Sequence, residues 1–175
     1  MVENFPKDFT LALALFDAVP VVLFMITATI IAIHFSNPVF LSGAALCSLA
    51  GLGKIVWKII VVTKNINIPF FFYEFRVLMP LGFLLIIFSF IIVNGTINWK
   101  DVKRRLLHFP AVIFFIITVF SLIGMIIIKL TMDLTSLKTN WIAEITNTIA
   151  QGSLLLGVLT MKKHYREKAP EEDFF

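Results

Sequence analysis

Six ionisable side chains interrupt stretches of this chain that otherwise read as lipid-facing. Asp17 lies within LALALFDAVPVVLFMITATIIAI, Lys54 and Lys58 one helical turn apart in GLGKIVWKII, and Glu74 and Arg76 in FFFYEFRVL. Glu144 begins a polar series that continues through Asn147, Thr148 and Gln151 at helical spacing. A charge at mid-membrane costs at least about 2.5–3.5 kcal/mol on insertion scales, so such groups pair, turn inward and often mark solute or proton paths. Asp17, Glu74 and Glu144 against Lys54, Lys58 and Arg76 give three groups of each sign. That mixture suits a zwitterionic or weakly anionic solute, or proton coupling through Asp17 or Glu144. With the amides Asn147 and Gln151, these six are the predicted lining of a ligand pocket.

Spacing predicts one contact directly. HFSNP at 34–38 reads as a tight hairpin, with Pro38 starting the following helix. Asp17 lies 19 residues before Ser36 and Lys54 lies 18 after it. In an antiparallel helix pair, equal separation from the turn means equal depth, here roughly 10–12 Å below one membrane surface at 1.5 Å rise per residue. Asp17 and Lys54 are therefore expected to sit level. Gly43, Cys47, Gly51, Lys54 and Lys58 share one helical face. Small residues let helices approach closely, so this face is expected to pack on the first span. Read without a ligand, the Asp17–Lys54 pair is a structural register device. Lys58 and Trp57 then become a snorkelling cation and a belt aromatic, and Glu74 and Arg76 become boundary charges.

The elements that position these residues follow from composition. Of 175 residues, 59% are hydrophobic and 15% charged, with a mean hydropathy of +0.94. Soluble domains run at about 45–50% apolar and 25% charged. The expected fold is an all-α polytopic membrane protein, because an open sheet would leave backbone groups unsatisfied in lipid. Five stretches reach the roughly 20 apolar residues needed to cross a bilayer: about 10–33, 39–62, 70–93, 109–130 and 140–161. They form one predicted domain over 1–162, followed by a short polar tail over 163–175 whose end, EKAPEEDFF, reads as disordered. The connection at 94–105, NGTINWKDVKRR, is polar, and the fourth span has only Thr118 and Ser121 and is expected to face lipid.

An odd number of spans puts the termini on opposite sides. Lys100, Lys103, Arg104 and Arg105 fall on the same side as Lys162, Lys163, Arg166 and Lys168. The positive-inside rule then places the N-terminus outside and the C-terminus in the cytoplasm of a cell membrane. The first span holds Asp17 and no basic segment precedes it, which argues against a cleavable signal peptide. The excess of Phe, Ile, Lys and Asn suggests an AT-rich, bacterial genome.

Other chemistries find no support in the spacing. Cys47 is the single cysteine, so an internal disulfide or a cysteine-based metal site is excluded. His34, His108 and His164 fall at span ends and do not form a facing haem pair. There is no HExxH, nucleophile elbow or phosphate loop, and GLGK lies within a span and lacks the full loop pattern. No metal, cofactor or nucleic-acid partner is expected, and no catalytic set can be named. Asn94-Gly-Thr96 fits the glycosylation pattern but is placed inside the cell. The predicted function is small-solute transport or substrate binding, as an oligomer or beside a partner membrane subunit. The alternatives are an accessory subunit without a ligand, or a membrane-embedded enzyme acting on a lipid or isoprenoid-like substrate. In the enzyme reading Asp17 or Glu144 is the acid–base group.

Overall fold

A computed structural model describes residues 10–35, 37–92, 99–133 and 136–168, and the regular structure among them is entirely helical. In chain order the helices are α1 (Leu11–Phe16), α2 (Ala18–Phe35), α3 (Pro38–Lys64), α4 (Pro69–Ile92), α5 (Trp99–Leu106), α6 (Ala111–Thr131) and α7 (Leu137–Lys168). Five helical segments are long and apolar enough to cross a membrane: α1 and α2 together over Leu11–Ile33, α3, α4, α6, and α7 as far as Met161. Ser36, the Asn94–Thr96 motif, and residues 1–9 and 169–175 lie outside the described residues.

Local signals fix the helix ends. The Thr10 hydroxyl accepts the Leu13 N–H at 3.2 Å and caps α1. The Asn37 Oδ1 accepts the Val39 N–H at 2.8 Å and the Phe40 N–H at 3.4 Å, and Pro38 occupies the first position of α3. At the far end of α3, Asn65 takes a left-handed conformation (φ 52°) and its N–H returns to the Val61 carbonyl at 2.9 Å. Pro69 then starts α4.

The first span is broken at Asp17, three residues before Pro20. Proline has no N–H to give the Phe16 carbonyl, and its ring crowds that carbonyl, which interrupts the helix there although Asp17 itself keeps right-handed helical dihedrals (φ −60°, ψ −20°). Pro80 also lies within a helix, but α4 continues through it without interruption.

Two elements depart from the sequence expectation. The polar connection contains a short helix, α5, whose last turn carries Lys103, Arg104 and Arg105, cations that suit a helix C-terminus. And α7 runs on to Lys168, past the expected start of the tail at 163. No glycine or proline follows Met161 until Pro170, so nothing in that run stops the helix.

The spans lie side by side in the order third, second, first, fifth, fourth. The first span is thus central, and α4 and α6 are the edges. This order overturns one packing expectation. The small face of α3 is shared between neighbours: Gly51 meets Val21 of α2, but Gly43 and Cys47 meet α4. A Cβ placed on Gly43 would come within 2.7 Å of the Gly82 carbonyl oxygen, and one on Gly82 within 2.6 Å of Cys47 Sγ. The α3–α4 crossing is therefore made backbone to backbone, which only glycine on both helices permits. The Asn37 side-chain amide donates to the Ser89 carbonyl at 3.4 Å and ties the same pair together. On the other side, α6 packs on α7 through Phe115 against Gly157 and Thr118 Oγ1 donating to the Ala150 carbonyl at 3.4 Å. The rest of α6 is largely apolar and exposed, as a lipid-facing helix should be.

Candidate functional site

At Asp17, where the first span is interrupted, two lysines from α3 and one glutamate from α7 converge. Lys54 Nζ lies 2.9 Å from Asp17 Oδ1 and 2.7 Å from Glu144 Oε1. Lys58 Nζ lies 2.8 Å from Asp17 Oδ2 and 3.1 Å from Glu144 Oε1. Each ammonium touches both carboxylates, and each carboxylate touches both ammonium groups. Two negative and two positive groups give a neutral quartet drawn from three spans.

The local sequence explains the arrangement. Lys54 and Lys58 are four apart on α3 and project from one face. Asp17 is fixed by the proline-induced break in the first span, at the level the hairpin arithmetic requires. Glu144 comes from about two turns inside α7, which lies against the first span, where Phe16 and Trp141 bring their ring centroids to 5.4 Å. Helices α3 and α7 are separated by the first span, and the long lysine side chains close the distance. Four unpaired charges would together cost on the order of 10 kcal/mol to bury in a bilayer, so mutual pairing is what makes the cluster tolerable.

Exposure distinguishes the members. The Lys58, Asp17 and Glu144 side chains are 3%, 2% and 6% exposed, whereas Lys54 is 25% exposed. Lys58 therefore does not snorkel to an interface. Nor is Trp57 a belt residue: it is buried, and its Nε1 donates to Asn67 Oδ1 at 3.0 Å.

The other expected site residues fall elsewhere. Glu74 is half-buried on α4 beside Gly53 and makes no salt bridge with the quartet, and Arg76 is exposed on that helix. The reason is topological: α4 packs only on α3 and does not reach the first or fifth span. Asn147 and Gln151 are half-buried on α7, and Gln151 Oε1 is buried without a hydrogen-bond partner among the described residues. Glu144 Oε2, on the same helix, is likewise buried without a hydrogen bond. Sequence reasoning overlooked Phe75, whose ring centroid lies 5.7 Å from Lys54 Nζ, in reach of a cation–π interaction. Its signal was present in FFFYEFR, where the charged neighbours drew the attention.

Among the described residues no three His, Cys, Asp or Glu side chains come together as a metal site would require. What the quartet can do chemically is exchange partners: each ammonium lies within 3.1 Å of both carboxylates. No protein-family model matches this chain, and no curated protein or solved structure is detectably similar to it.

Proposed function

We propose that this chain is a multi-pass protein of the cell membrane whose intramembrane charge quartet binds a small polar solute, for transport or for delivery within an oligomer or to a partner membrane subunit. The observation that carries the reading is the asymmetry of the quartet. Three of its charges are sealed, while Lys54 keeps a quarter of its side chain exposed. The buried acceptor atoms of Glu144 and Gln151, seven residues apart on one face of α7, add demand for donor groups. A solute bearing both charges would exchange with the internal pairs at little net electrostatic cost.

The basic residues of the 99–106 helix and the C-terminal run support an orientation with the N-terminus outside, which opens the quartet end of the protein to the exterior. A second reading is favoured by a specific observation: every quartet charge already has an opposite partner within 3.1 Å. In that reading the quartet is a clasp and the chain an accessory subunit. Uptake by proteoliposomes, measured with a panel of labelled small solutes, separates the two. Solute transport is expected in the wild type and lost in Asp17→Asn and Lys54→Met. Uptake and stability unaltered by both changes would sink the binding reading.

A further inference from the structure

Helix α5 is amphipathic. Trp99, Val102 and Leu106 recur at i, i+3, i+7 and share one face. Lys100 and Arg104, four residues apart, fall on the other side, and Lys103 borders it. Lys100, Lys103 and Arg104 are exposed, and so are Leu106, Leu107 and Phe109 at the end of the helix. Exposed cations and exposed large apolar side chains on one short segment suit neither bulk water nor the hydrocarbon core. They suit the boundary between the two, where an amphipathic helix lies in plane with its apolar face in the acyl region and its cations among the headgroups.

The packing sets α5 at that boundary. Phe115 meets Gly157, and Gly124 faces Thr146, across the antiparallel α6–α7 pair. Ala111, four residues before Phe115, is therefore level with Met161, four residues after Gly157. These are also the residues at which the two spans end. Helix α5 packs on both α6 and α7, and α7 continues past the same level as far as Lys168. That extension carries Lys162, Lys163, Arg166 and Lys168. With Lys100, Lys103, Arg104 and Arg105, eight cations thus stand on two adjacent helices at one membrane face. The acids on these segments are Asp101 and Glu167. Even when Glu171, Glu172 and Asp173 are counted with them, eight cations against five acids leave a balance of three positive charges. At the opposite end Lys64, Lys129 and Lys138 lie on three separate helices.

We propose that α5 and the extension of α7 form a docking surface for anionic phospholipid headgroups. Charge complementarity carries the assignment: lipid phosphates are the anions a membrane presents at this depth, and Lys and Arg are their partners. A positive-inside bias would be met by cations anywhere in the connection. Here they are ordered on a helix whose apolar side meets the acyl boundary, against a second basic helix. The surface lies at the far end of α7 from Glu144 and does not depend on the quartet.

The test is native mass spectrometry of the full chain from mixed micelles holding equal phosphatidylglycerol and phosphatidylcholine. The wild type is expected to retain phosphatidylglycerol in clear preference, and retention of both lipids alike would overturn the surface. Lys100→Gln/Lys103→Gln/Arg104→Gln is expected to lower that preference by about tenfold or more, since each surface cation is worth about fivefold. Its melting temperature in phosphatidylcholine micelles is expected to stay unchanged. Lys162→Gln/Lys163→Gln/Arg166→Gln, on α7, is expected to do the same, so misfolding of one variant leaves the other to decide. Lys64→Gln/Lys129→Gln/Lys138→Gln removes equal charge from the opposite end and is expected to keep the preference. Undiminished preference in the α5 and α7 variants would overturn the surface. So would an equal loss in the opposite-end variant, which would reduce the effect to net charge. Displacement of the bound lipid by millimolar inorganic phosphate would also overturn it, since the site would then be one for free phosphate.

Discussion

Removing Lys58 and Asp17 together should destabilise the protein by less than the sum of the two single changes. The two carboxylates and two ammonium groups sum to zero. Lys58→Met leaves a buried charge of −1, with Asp17 and Glu144 sharing Lys54 alone. Asp17→Asn leaves +1, and the double variant is neutral again. Lys58 is 3% exposed and lies 2.8 Å from Asp17 Oδ2, so solvent cannot compensate its loss. Breaking a buried pair from one side costs about 3–5 kcal/mol. Each single variant should approach that range, and the double variant should fall short of the sum by a coupling energy on the order of 2 kcal/mol, typical of directly contacting charges. Lys54→Met should cost less than Lys58→Met, because its side chain is 25% exposed. The assay is reversible unfolding in mixed micelles, followed by circular dichroism and run as a double-mutant cycle. Costs that add within about 0.5 kcal/mol would refute the reasoning, since they would mean that Lys58 and Asp17 do not stabilise each other.

Three further outcomes follow from the packing. Gly43→Ala should cost about 1–3 kcal/mol, because the new methyl meets backbone atoms of Gly82 and Ile86 at 2.7–2.9 Å, whereas Gly124→Ala should stabilise by about 0.5–1 kcal/mol, because its nearest neighbour is Thr146 Cγ2 at 3.8 Å. Melting of the two variants in detergent checks the sign of each. Cys47, 3% exposed against Gly82, should resist a membrane-permeant maleimide in the wild type and react in Gly82→Leu, which mass spectrometry of the labelled chain would read. Asn37→Ala should cost about 1 kcal/mol through loss of the α3 cap and the bond to Ser89, measured by the same unfolding assay.

The helical class, the five apolar spans and most helix ends could be read in the sequence, because each depends on local composition: long apolar runs, Asn37-Pro38 before α3 and Pro69 at the start of α4. The Asp17–Lys54 contact could also be read, because a short hairpin converts sequence separation into depth. Lateral order could not. Nothing in α4 announces that Gly82 seats against Gly43 and Cys47, and that one crossing draws the inner half of the small face of α3 away from the first span. The same crossing holds Glu74 and Arg76 on α4, apart from the quartet, so a pocket lined evenly by six charges becomes four charges in mutual contact. Helix α5 was obscured by its polarity: WKDVKRRL has helix-forming residues but no apolar stretch to draw notice.

In the proposed function the quartet receives a solute as well as clasping helices together. The neutral double variant Asp17→Asn/Lys58→Met tests this most directly, because it removes one carboxylate and one ammonium without leaving a net buried charge. Its thermal stability should be measured beside the wild type, each with and without a panel of small zwitterions and carboxylates. At least one zwitterion is expected to raise the melting temperature of the wild type, while the double variant folds but shows no such rise. An equal rise in both proteins, or none in the wild type with any solute, would contradict that function.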